Sequence, residues 1–173
     1  MAVSYPMPGW VDHAFRHQGL KEAKGSANNP TILSWAKELG IKILGIVYNA
    51  DATAWCGLFV AHCLKEAGID LLKMDKQTIA IRAKAWATWG VHTPPRYGCI
   101  LVFERPGGGH VGFYVGEDSK YYYVLGGNQG DMVSVMKIER SRMIATRWPR
   151  GSDMVTKRVI VDDKGIPVSN NEA

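Results

Sequence analysis

Asn49-Ala50-Asp51-Ala52-Thr53-Ala54-Trp55-Cys56-Gly57-Leu58-Phe59-Val60 reads as a turn that runs straight into an apolar helix. Trp55, Leu58, Phe59, Cys63 and Ala67 recur at helical spacing, and Gly68 ends the pattern. Asp51 or Thr53 is the expected cap. A cysteine in the first turn sees the positive end of the helix dipole and unpaired backbone N–H groups. Both favour the thiolate, which is the nucleophilic form.

Downstream the periodicity changes. Cys99–Glu104, His110–Gly116, Tyr121–Gly127, Met132–Ile138 and Ile144–Trp148 read as strands separated by Pro, Gly, Asp and Ser. Upstream of the cysteine, residues 9–20 and 31–39 read as helices, the second opened by Asn29-Pro30 and stopped at Gly40. A further short helix is expected over residues 82–89, closed by Gly90. Helices first and strands second predict an α+β fold, with N-terminal helices packed on an antiparallel sheet. Residues 1–150 are expected to form a single domain. Residues 151–173 are expected to be an extension holding a short hairpin over 159–168 and a tail.

The second chemical landmark is Gly107-Gly108-Gly109-His110-Val111-Gly112-Phe113, which delivers a histidine onto a strand. The third is Leu125-Gly126-Gly127-Asn128-Gln129 at the end of the next strand. If Asp118-Ser119-Lys120 is the hairpin loop, Glu117 faces Tyr121 and His110 faces Asn128. Asn128 would then fix the imidazole tautomer, with Gln129 or Asp131 as alternatives for that role. A helix-start cysteine, a strand histidine and a polar orienter form a papain-type set for acyl transfer.

The remaining composition narrows the classes. The chain has 173 residues, enough for a full hydrophobic core. Three cysteines at 56, 63 and 99 fit neither a disulfide framework nor paired zinc ligands, so no metal and no cofactor are expected. Cys63 and Cys99 lie in apolar runs and are expected in the core. The net charge of +5 suits an anionic partner. The Lys and Arg residues are scattered, however, without a nucleic-acid motif, so nucleic acid is not expected. No apolar run approaches the roughly 20 residues of a membrane span, and no basic-then-apolar leader opens the sequence. A monomer without stable membrane association is expected, synthesised in the cytoplasm.

Several blocks together resemble the NlpC/P60–CHAP superfamily of papain-like peptidoglycan amidases and peptidases, nearest to phage- and prophage-associated single-domain proteins. They are Trp10 with Glu22 and Gly25, Asn29-Pro30-Thr31-Ile32, Asp51 with Trp55-Cys56-Gly57-Leu58-Phe59-Val60, Trp86 and Trp89-Gly90, Gly109 to Phe113, Leu125 to Gln129, and Arg147-Trp148-Pro149. The resemblance implies Cys56 as nucleophile, His110 as base and Asn128 as orienter. Asp51, Trp55 and Gln129 are expected on the substrate side. It implies bacterial peptidoglycan as the partner, cut at an amide bond. An endolysin acting on the wall in the periplasm, after the membrane has been permeabilised, is the expected role. A delivered antibacterial toxin, or an inactive wall-binding or virion module, are the alternatives. Two departures stand out. Gly126 occupies a place where many relatives carry an acidic residue. Only Asp51 is acidic between Leu44 and Cys56, where calcium-binding relatives carry an acidic loop.

Overall fold

The computed structural model describes residues 7–74, 79–170 and 172. Its helices are α1 (Gly9–Arg16), α2 (Pro30–Leu39), α3 (Ile41–Leu44), α4 (Cys56–Glu66) and α5 (Leu71–Met74), with a 3-10 turn at Ala83–Thr88. Its strands are β1 (Val91–His92), β2 (Ile100–Arg105), β3 (Gly108–Glu117), β4 (Tyr121–Gly126), β5 (Ser134–Glu139) and β6 (Met143–Trp148). They form one sheet in the order β1-β6-β2-β3-β4-β5, antiparallel throughout. This is the expected α+β architecture. None of the described helices is long and apolar enough to cross a membrane.

The local signals explain the elements. Asn29 caps α2 by accepting from the Thr31 N–H, with Pro30 at the first helical position. Pro106-Gly107 join β2 to β3, and Gly107 takes the positive φ of 78° that this tight turn needs. α4 is buried over nine of its eleven residues, from Cys56 to Leu64, and lies against β3. Phe59 meets Phe113 of β3 edge to face at 6.5 Å. The core thus sits between α4 and the sheet, with Trp10, Trp35, Trp55 and Trp148 filling its flanks.

Three local expectations are corrected. α4 starts at Cys56 with Trp55 at the cap and no side-chain capping bond, so neither Asp51 nor Thr53 caps it. The helix over 82–89 is a 3-10 turn, whose Trp86 Nε1–H donates back to the Ala80 carbonyl. Residues 159–168 form no hairpin. Ile160 and Val168 instead make single parallel bridges to Glu117 of β3 and Lys137 of β5. The cause is buried charge at the sheet. Glu117 is held by both Arg158 nitrogens at 2.8 and 2.7 Å and by the Tyr114 hydroxyl, so the chain after β6 is pinned along strands already present.

Candidate active site

Cys56 is the first residue of α4, and its sulfur lies against β3, where the Val111 N–H bonds to it. Gly57 makes this approach possible. A Cβ there would stand 1.9 Å from the Ala80 carbonyl oxygen, so only glycine lets the first turn of α4 press onto that backbone. Cys56 is 5% exposed and His110 1% exposed. Gly109, beside the histidine, admits the aliphatic stem of Lys84, which a side chain at 109 would displace.

Helix position alone does not make a thiolate here. Burial pushes the Cys56 thiol up, opposed by the backbone N–H groups of Val111, Gly57 and Cys56 itself and by the Arg105 charge. Burial likewise pushes His110 down to about 4, opposed first by its bond to Gln129 and then by the Glu172 carboxylate. Burial thus disfavours the charged form of both groups. Cys63 and Cys99 are fully buried, and burial raises both thiols, Cys99 to about 12.

The orienting bond falls on Gln129. His110 Nε2 and Gln129 Oε1 are 2.9 Å apart. The amide cannot be turned round, because Gln129 Nε2 already donates to the carbonyls of Val124 at 3.1 Å and Ser134 at 2.7 Å. The oxygen must face the ring, so His110 Nε2 carries the proton and Nδ1 holds the lone pair. Asn128 makes no bond to His110. The expected register is half right. Glu117 pairs with Tyr122, not Tyr121, and a bulge between Tyr114 and Gly116 restores the expected alignment at Phe113 and Leu125. β4 then ends at Gly126, and Asn128, at φ 59°, turns the chain so that Gln129 reaches back. A Cβ on Gly126 would come within 2.5 Å of Gln129 Oε1 and 3.4 Å of His110 Nε2. The glutamine amide thus fills the space that a side chain at 126 would use, a signal legible only as glycine at 126 with an amide residue three places later.

The expected substrate-side residues are committed elsewhere. Asp51 is buried, and its Oδ2 accepts the N–H groups of Ala23 at 2.9 Å and Asn29 at 2.6 Å, bracing the loop before α4. Trp55 is fully buried and donates to Glu22 Oε1 at 2.6 Å, so it packs beneath the site and does not face it. Gln129 is fully buried with both amide atoms engaged. Sequence reasoning missed Arg105, whose charge bears on Cys56 and His110, and Glu172, whose partner Arg142 lies far back along the chain. A cavity of about 400 Å³ opens beside the Asp51 loop, lined by Glu22, Lys24, Asp51, Gly130 and Asp131 among others. Among the described residues, Glu38, His62 and Glu66 bring ligand atoms within 4.8 Å of one another, at the far end of α4 from Cys56. Glu38 there is already within 3.8 Å of Lys65 Nζ.

Residues 48–128, a little under half of the chain, match the CHAP domain family, and the match ends one residue before Gln129. No curated protein and no solved structure matches the chain.

Proposed function

We propose, from the premise that residues 48–128 are a CHAP domain of the NlpC/P60-like cysteine peptidase/amidase superfamily, that this protein hydrolyses an amide bond of bacterial peptidoglycan through Cys56 and His110. A CHAP domain points to peptidoglycan hydrolase or amidase activity in general. The observation that supports the finer reading is that the Cys56 sulfur lies against the N–H of the residue after His110, while Nε2 of His110 is fixed by Gln129.

Each step follows from these groups. Nδ1 of His110, left as the lone pair by the Gln129 bond, takes the Cys56 proton as the sulfur attacks the amide carbonyl. This order suits a site whose burial disfavours both charged forms before the substrate arrives. The backbone N–H of Cys56, at the start of α4, is the proposed donor to the tetrahedral oxyanion once the sulfur has attacked. His110 then returns the proton to the leaving amine and activates the water that cleaves the thioester. Asn128 keeps a part as the αL residue that aims Gln129. An endolysin role suits the net charge of +5 and an anionic wall.

The test is digestion of purified peptidoglycan by wild type and Cys56→Ala, with mass spectrometry of the products. Wild type releases new amine termini. The variant, with an unchanged circular dichroism spectrum, loses activity by a factor of about 10³ or more. Equal digestion by both would overturn the cysteine mechanism.

A further inference from the structure

The residues after β6 return to the catalytic histidine. Lys137 of β5 exchanges backbone bonds with Pro167 and Ser169, fixing the path of this segment. Arg142 then takes hold of it. Its Nη1 donates to the Ser169 carbonyl at 3.2 Å, and both Nη1 and Nη2 donate to the Glu172 carboxylate at 2.7 Å. The Arg142 Nε donates to the Glu104 carbonyl at 2.9 Å. The clamp therefore rests on Glu104, whose partner across β2 and β3 is Gly109, the residue before His110. Glu172 is 1% exposed, so its charge is shielded from water.

We infer that Glu172 is a positioning residue, a carboxylate supplied from outside the domain match that stabilises the His110 imidazolium formed when Cys56 gives up its proton. The inference rests on His110 acting as the base in the proposed reaction. The electrostatics around the ring agree. Arg105 and Arg142 oppose protonation of His110, while Glu172 favours it and is itself held below the usual carboxylate range, against its burial, by Arg142 and His110. The fork from Arg142 fixes where the carboxylate sits, since a bidentate pair constrains both oxygens. Gly126 leaves no acid beside the ring on β4, and Glu172 brings one from another direction.

The proton step is an internal transfer. The Cys56 S–H bond breaks, its electron pair stays on sulfur, and the proton moves to His110. Glu172 lowers the energy of the resulting thiolate–imidazolium pair and takes no proton itself.

The test is the rate of Cys56 alkylation by iodoacetamide at neutral pH, followed by intact-mass spectrometry, on the full chain of wild type, Glu172→Gln and Glu172→Asp. Cys56→Ala defines the background from the two buried cysteines. Loss of the charge lowers the population of the ion pair, so Glu172→Gln is alkylated about tenfold more slowly, as for a loss of about one pK unit. Glu172→Asp, which keeps the charge but withdraws it by one methylene, is slowed less. A purely structural role gives the opposite sign, because loosening the segment exposes the sulfur and speeds labelling. If Glu172→Gln does not fold, Glu172→Asp carries the test in the same direction. Unchanged or faster labelling in whichever variant folds overturns the inference. Digestion of peptidoglycan is read in parallel. Slowed labelling in a protein whose wild type digests no wall would retain the Glu172 role while refuting the proposed substrate.

Discussion

The third position of the proposed catalytic set turns on two neighbouring side chains that a one-residue difference exchanges. Gln129 makes the bond to His110, and Asn128 supplies the turn that lets it do so. Gln129→Ala should therefore lower kcat on peptidoglycan by a factor of about 10² or more, because the ring loses the partner that fixes its tautomer. Asn128→Gly, which keeps the φ of 59° accessible while deleting the amide, should retain most activity. A full loss in Asn128→Gly with an active Gln129→Ala would return the role to Asn128. Gly126→Ala should resemble Gln129→Ala, since its Cβ would stand 2.5 Å from Oε1 and push the amide off the ring. The places of Cys56 and His110 in the fold were legible in the sequence because each sits at a junction with its own signal, a helix start after a turn and a strand after a glycine run. The orienter was not. It depends on where a ladder stops and which way a turn throws the next side chain, and a bulge at Tyr114 and Gly116 offsets an error in the assumed hairpin loop.

The elements were legible wherever periodicity and punctuation agree. α2 between Asn29-Pro30 and Gly40, and β2 to β4 around their turns, follow directly from such signals. The start of α4 was legible as a place but not as a mechanism. Its cap is Trp55, and its close fit comes from Gly57 against the Ala80 carbonyl. Gly57→Ala should accordingly fail to fold or lose stability by more than about 3 kcal/mol, since backbone on both sides must give way and a buried helix cannot shift freely. Urea denaturation followed by circular dichroism measures this. A stable Gly57→Ala would mean that α4 does not approach residue 80 so closely. The segment over 159–168 shows the limit of local reading. Its alternation suggests a hairpin, yet Glu117 and Arg158, distant in sequence, hold it as single bridges on the sheet.

Across the whole molecule, the burial that assembles the site also ties stability to pH. His110 lies at the site and His62 at the far end of α4, and burial lowers both to about 4. The unfolded chain binds a proton on each near pH 6.5, whereas the folded protein resists until near pH 4. Between these values the unfolded state holds more protons, so the free energy of unfolding rises with pH and falls as the solution is acidified. Above about pH 6.5 both histidines are neutral in either state and the dependence vanishes. Thermal melts from pH 7 to pH 4 should show a midpoint that is flat above about 6.5 and falls steeply below it. His17, beside His62, is lowered by burial as well, so His62→Gln removes one of three such titrations without touching the site and its acid slope should be shallower than that of wild type. Glu117 and Glu172, held low by arginines, add loss only at the acid end of the same window, as they approach protonation. An unchanged slope in His62→Gln would show that its ring is not withheld from protons in the folded chain.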